Sequence, residues 1–210
     1  MTTLVLLRHG ETLLTPGRRL SGSGGSNPGL SPAGRRQAQA TADALAHRGD
    51  IEAVVTSPMR RCQETARPVA ERLGLSVQLD EDLREADFGA WEGLTFAEVR
   101  DRYPDDLTAW LASPEAPPTG AGETMQQLIR RTAAVRDGLL TRYAGATVLL
   151  VSHVVPIRTL IRLALQAPPH TLFRMEVAPA SLSTLTYDET GTATLQTLND
   201  THHLPGRASA

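Results

Sequence analysis

Short apolar runs alternate along the chain with longer stretches of helical periodicity. Residues 3–7 (TLVLL), 52–56 (EAVVT) and 147–151 (TVLLV) are runs of aliphatic and β-branched residues and predict buried strands. Residues 75–79 (LSVQL) alternate and predict a further strand. Helical patterns follow three of these runs. Ser31 reads as an N-cap with Pro32 at the first helical position, opening a helix to about His47 that Gly49 ends. Residues 58–73 predict a helix closed by Gly74, and residues 155–166 another. A long helical pattern covers 123–143, opened at Glu123–Thr124. Residues 95–112 predict one or two short helices broken at Pro104.

The intervening segments are polar or rich in Gly, Ser and Pro. Residues 15–32 and 113–122 predict loops, and residues 80–92 an irregular stretch. Two or three strands over 172–177, 182–187 and 193–198 close the pattern, and the tail from His202 is expected to fray. Strands alternating with helices predict an α/β fold, a three-layer α/β/α sandwich on a largely parallel central sheet. Residues 1–210 are expected to form a single domain, with a small cap or insert around 94–122.

Composition narrows the chemistry. A chain of 210 residues, 40% hydrophobic and 21% charged, is ordinary for a globular domain. All 21 basic residues are arginine, against 23 acidic ones, for a net charge of −2. The absence of lysine excludes Schiff-base and P-loop lysine chemistry and leaves a permanently charged fork suited to carboxylate and phosphate. The single cysteine, Cys62, excludes intrachain disulfides and cysteine-based metal clusters. The N-terminal segment lacks a basic region and a small-residue cleavage site, and no apolar run reaches roughly 18 residues. The expectation is a soluble, cytoplasmic protein that binds neither membrane nor nucleic acid. The Arg18-Arg19 loop lacks the aromatic interleaving that single-stranded nucleic acid requires. Nothing in the sequence fixes the oligomeric state, and a homodimer stays open.

The candidate chemistry sits where strands end. The first strand runs into Arg8-His9-Gly10-Glu11-Thr12, and the strongest strand into Ser152-His153. In open parallel sheets, sites form outside the carboxyl ends of the strands, so these distant histidines are expected to meet. The strand at 52–56 likewise leads into Ser57-Pro58-Met59-Arg60-Arg61-Cys62, where a helix begins. Arg60 reads as solvated surface. Leu83 to Gly93 (LREADFGAWEG) supplies carboxylates. Two arginines, two histidines and a carboxylate suit a phosphoryl group. Guanidinium forks hold its oxygens, a neutral imidazole attacks phosphorus, and a carboxylic acid protonates the departing alkoxide. The arginines supply the positive charge, so neither metal nor cofactor is required.

These four segments, in this order, resemble the histidine phosphatase superfamily in its phosphoglycerate-mutase-like branch. The resemblance runs from residue 4 to about 198. It implies a phosphohistidine formed on His9, with Arg8, Arg61 and His153 holding the phosphoryl oxygens. Glu85 would be the general acid and then the base, with Asp87 as its rival. Ser21 and Gly22 fall in a stretch that resembles the family's substrate-contacting loop. Two positions depart from the pattern: Thr15 stands where Asn is frequent, leaving one hydroxyl for phosphate, and Val154 follows the second histidine where Gly is frequent, leaving its backbone N–H. Val154 also argues against the acid-phosphatase and phytase branch.

The resemblance implies a metal-independent phosphomonoester hydrolase of small phosphorylated metabolites. Parts of the chain resemble actinobacterial acid-phosphatase domains and α-ribazole-phosphate phosphatases, so α-ribazole phosphate, small sugar phosphates and nucleotides stand as candidate substrates. The alternatives are a 2,3-bisphosphoglycerate-dependent phosphoglycerate mutase, which has a longer insertion before the second histidine, and a non-catalytic phosphate-binding module. Trp91, Phe96, Tyr103 and Trp110 either line the pocket or pack in core or cap, and packing is the expectation.

Overall fold

The computed structural model describes residues 1–205. Its sheet has six strands: β1 (Thr2–Arg8), β2 (Ala53–Thr56), β3 (Val77–Leu79), β4 (Thr147–Ser152), β5 (Leu182–Tyr187) and β6 (Ala193–Asp200). The spatial order is β3-β2-β4-β1-β5-β6. The first four in that order are mutually parallel, and β5 and β6 add on antiparallel. Among the described residues, six α-helices complete the fold: α1 (Pro32–Arg48), α2 (Arg60–Leu73), α3 (Phe96–Arg102), α4 (Pro104–Ala112), α5 (Met125–Arg142) and α6 (Val154–Ala164).

The apolar runs of β1 and β4 have two inward faces because both sides of the sheet are covered. Leu4, Leu6, Val148 and Leu150 pack with α5 and α6, while Val5, Leu7, Leu149 and Val151 pack with α1 and α2. Successive side chains point to opposite faces, so each strand feeds both cores. Register then sets the site. Arg8 pairs with Ser152 and Thr56 with Val151, so β1, β4 and β2 end side by side.

Local signals place the helices as expected. The Ser31 hydroxyl accepts from the Gly34 N–H at 3.1 Å, Pro32 follows, and Gly49 closes α1 at φ 73°. Pro104 divides α3 from α4, and Thr124 with Gln127 forms a capping box that opens α5 at Met125.

Two expectations are corrected. Residues 172–177 form no strand: Pro169–Arg174 is a 3₁₀ turn that opens at Pro169, and Met175 to Val177 pair with no strand. Its threefold period puts Leu172 and Met175 inside, three positions apart, and Thr171, Leu172 and Phe173 imitate strand composition without the alternation. The tail is packed through residue 204. His203 hydrogen-bonds Thr41 at 3.0 Å, and Leu204 is buried beside α1 and α2. Residues 206–210 of that predicted tail lie outside the described residues.

Candidate active site

The strand ends open onto a cavity of about 870 Å³, lined among others by Arg8, His9, Thr15, Ser21, Glu85, Val154 and Arg158. That volume is typical of small-molecule sites, roughly 300–1,000 Å³.

His9 leaves β1 with its backbone N–H on the Ser152 carbonyl, at 3.0 Å. Its Nδ1 faces the Gly10 carbonyl at 2.8 Å. A carbonyl only accepts, so Nδ1 carries the proton and Nε2 keeps its lone pair. Gly10 lies so close to Gly34 in the first turn of α1 that a Cβ would collide with the Gly34 backbone. That contact and the Gly10 N–H on Thr65 Oγ1 (3.0 Å) fix the loop. Burial, with Arg61 and Arg8 nearby, holds the imidazole well below its ordinary pKa, so it is neutral near pH 7.

Arg61, in the first turn of α2, is completely buried. Its Nε–H lies between His9 Nε2 (3.3 Å) and His153 Nδ1 (3.2 Å). Its Nη2 donates to the Ser21 carbonyl at 2.8 Å, while Nη1 is buried without a partner. Arg8 donates through Nη1 to the Val177 carbonyl at 2.7 Å, and its Nε is also buried and unpaired. Burial lowers the Arg8 pKa to about 10, leaving the guanidinium charged near pH 7. Buried orphan donors are rare and ask for an explanation. A bound oxyanion would satisfy these.

His153 ends β4 and lies 5.1 Å, ring to ring, from His9. Its Nδ1 accepts from the Arg61 Nε–H, so Nε2 carries the proton and donates to Ser57 Oγ at 2.9 Å. Arg61 and His153 are more deeply buried than His9 and are not among the residues that line the open cavity, but both touch His9. Cys62 Sγ lies 3.3 Å from His153 Nε2, and burial raises its pKa to about 12, so it stays a neutral thiol.

Glu85 reaches the cavity from the irregular stretch, 6% exposed. One carboxyl oxygen accepts from the N–H of Ala86 (3.0 Å) and of Val155 (3.3 Å) at the start of α6. Burial raises its pKa, against the pull of Arg61, Arg131 and Arg8. Asp87 does not line the cavity; its carboxylate caps Gly89 N–H at 2.9 Å.

The remaining expected residues divide. Thr15 lines the cavity, with Oγ1 accepting from Thr12 N–H at 3.0 Å. Ser21 lines it too, with its hydroxyl buried and unpaired, and so does Val154 as the first residue of α6. Gly22 does not. Its N–H goes to Glu92 at 2.9 Å, and a Cβ there would strike the Ala86 carbonyl and the Glu92 carboxylate. Its small size serves packing. Phe96 and Trp110 line the cavity, while Trp91 is core and Tyr103 packs against it. Arg60 is exposed and pairs with Glu64, as expected of a surface residue.

Two arginines escaped the sequence reading. Arg158 lies one helical turn after Val154 on α6 and lines the cavity; that four-residue spacing was the available signal. Arg131, on α5, grips Glu123 with Nε at 2.6 Å and Nη2 at 2.7 Å. Its Nη1 donates to the Asp82 carbonyl and to that of Arg84 (2.8 Å), and Nη2 to that of Glu85 (3.3 Å). This one guanidinium clamps the backbone that carries Glu85. Among the described residues, no three His, Cys, Asp or Glu side chains cluster to hold a metal ion. None of the described helices is long and apolar enough to cross a membrane.

The chain is similar to several known proteins. It is 47% identical over 203 residues to a bifunctional protein of Mycobacterium tuberculosis, covering 97% of this chain but only 55% of that one. The chain therefore spans about half the length of that relative. It is 30% identical to phosphoserine phosphatase 1 of Hydrogenobacter thermophilus, covering 97% and 95% of the two chains. The solved structure of a mycobacterial glucosyl-3-phosphoglycerate phosphatase with VO3 matches with a TM-score of 0.83 and 30% identity, over 95% of this chain and 99% of that one. The pattern of one family covers residues 4–201, and the chain accordingly belongs to the histidine phosphatase superfamily, branch 1.

Proposed function

We propose that the chain is a phosphatase of this family, hydrolysing phosphomonoesters of small metabolites through a phosphohistidine on His9, with no metal required. One observation carries the reading. The lone pair of His9 Nε2, fixed by the Nδ1–H bond to Gly10, shares its site with unpaired buried donors of Arg8 and Arg61. An electron-rich nitrogen beside a double guanidinium cradle suits an electrophile that carries anionic oxygens.

In the first half-reaction, His9 Nε2 attacks phosphorus and the ester P–O bond breaks. The Glu85 carboxyl gives its proton to the departing alkoxide. The Arg8 and Arg61 donors take the charge on the phosphoryl oxygens, and the Arg61 Nε–H leaves His9 Nε2 as the P–N bond forms. In the second half-reaction, the Glu85 carboxylate takes a proton from water, whose oxygen attacks phosphorus. The P–N bond breaks, its electron pair returns to Nε2, and inorganic phosphate leaves. A neutral His9 and a Glu85 of raised pKa fit these roles. The phosphatase names of the relatives support the same chemistry.

The test is hydrolysis of 4-nitrophenyl phosphate in excess chelator, wild type beside His9→Ala. Activity that survives chelation and is lost in the variant is expected. Activity retained by His9→Ala, or lost to the chelator, overturns the reading. Phosphoryl transfer between phosphoglycerates that outruns hydrolysis would favour the mutase instead.

A further inference from the structure

The chain has few aromatic side chains: three Phe, two Trp and three Tyr. All three phenylalanines, Phe88, Phe96 and Phe173, line the cavity that holds His9 and Glu85, and Trp110 joins them. They arrive from separate segments: the stretch after Glu85, the start of α3, α4, and the 3₁₀ turn at 169–174. Trp110 is the hub. Its ring centroid lies 5.6 Å from that of Trp91 in the core, 5.5 Å from Phe173 and 6.5 Å from Phe96. Trp110 is nearly buried, but Phe96 is 48% and Phe173 43% exposed, and Leu111 beside them 53%.

This placement has no folding rationale. Rings left half in water add little to the core, whereas contiguous exposed apolar surface in a cleft marks a ligand site. Arg19 is held by the Gly93 carbonyl and Glu98, while Arg18 and Arg158 also line the cavity and the Arg158 Nε is buried without a partner. A phosphoryl group at His9 would occupy a small part of about 870 Å³. The remainder has an apolar wall stiffened by edge-to-face ring contacts.

We propose that Phe96, Trp110 and Phe173 seat the alcohol part of the substrate, and that this part carries an aromatic or broad apolar group rather than being a short hydroxy acid. The inference rests on the phosphoryl-transfer reading of His9 and Glu85. A serine-like alcohol would leave the exposed ring faces of Phe96 and Phe173 in water. A flat ring would cover the exposed faces and release their water.

The test compares adenosine 5′-monophosphate with ribose 5-phosphate. Both release a primary 5′ alcohol, so P–O cleavage is matched and the aromatic base is the main difference. The kcat/KM for the nucleotide is expected to be at least about tenfold higher. Phe173→Ala and Phe96→Ala, both at half-exposed positions that fold safely, should each pull that ratio towards one. In His9→Ala, titration with each ester followed by tryptophan fluorescence should show tighter binding of the nucleotide. Equal kcat/KM for the two esters, or a ratio that neither variant moves, overturns the proposal while leaving the phosphatase reading intact. If neither these esters nor 4-nitrophenyl phosphate is hydrolysed, the phosphatase reading fails separately. Equal binding of both in the titration then refutes the aromatic seat as well.

Discussion

Replacing Glu85 with Gln separates the two halves of the reaction. The substitution keeps the shape and the carboxyl oxygen that accepts from Ala86 and Val155, and removes only the transferable proton. All three observed bonds to the carboxyl, from the Ala86 N–H and from the Val155 N–H to each oxygen, are accepted ones, so its proton is free to face the cavity. General-acid help is worth about 10²–10⁴ in rate, or about 2.7–5.4 kcal/mol at about 1.36 kcal/mol per decade. That loss should fall on kcat/KM for an alkyl phosphate. For 4-nitrophenyl phosphate, whose phenolate leaves unprotonated, kcat/KM should fall less than about tenfold. Its kcat should fall further, because water activation also needs Glu85, and a pre-steady-state burst should appear. Stability runs the other way. Burial raises the Glu85 pKa, so the folded state loses stability as pH rises through the window between the ordinary carboxyl value and the raised one. Gln escapes that loss, and the variant should melt no lower than wild type at pH 7. Equal losses of kcat/KM on both esters would refute the acid role, and the same contrast in Asp87→Asn would transfer it to Asp87.

Three further perturbations follow from the geometry. Arg61→Lys keeps the charge but loses the fork spanning both histidines and Ser21, so kcat/KM should drop by about 10² or more; near-normal turnover contradicts the role. Arg131→Ala leaves Glu123 unpaired in a largely buried pair and frees the Glu85 backbone. Chemical denaturation should show a loss of about 3 kcal/mol, and alkyl esters should suffer more than 4-nitrophenyl phosphate; a uniform loss on both would make Arg131 merely structural. His9 and His153 are held well below their ordinary pKa, so the stability they contribute is present above about pH 6.5 and lost as pH falls below it. Measured in Glu85→Gln, which removes the opposing titration, the unfolding free energy should fall between pH 7 and 5. It should fall less steeply when His9 is also replaced by Asn, and a flat profile would contradict this.

The parts of the site that sequence made legible are those that local patterning controls. Arg8, His9 and His153 directly follow buried strands, and Arg61 opens the helix after another. Parallel register then gathers them. Glu85 sits in a stretch with no periodicity, and only its motif marked it; burial in the fold separates it from Asp87, two residues away. Gly22 lay in a stretch marked by resemblance, but its lack of a Cβ answers to Ala86 and Glu92, which no local reading reveals. Arg131 acts across the fold on carbonyls some 46–49 positions earlier, and nothing near it in sequence announces that. Phe96 and Trp110 look like core residues in any hydrophobic pattern. Their cavity exposure depends on how α3 and α4 meet the 169–174 turn, where composition imitates a strand.

The phosphohistidine itself is the most direct test. Glu85→Gln, mixed with 4-nitrophenyl phosphate carrying labelled phosphorus and quenched in alkali within the burst, should retain close to one label per chain. That label should be alkali-stable and acid-labile, as a phosphoramidate is, and should map to the peptide holding His9. Label absent throughout the burst, or attached to a residue other than His9, would contradict phosphoryl transfer through this histidine.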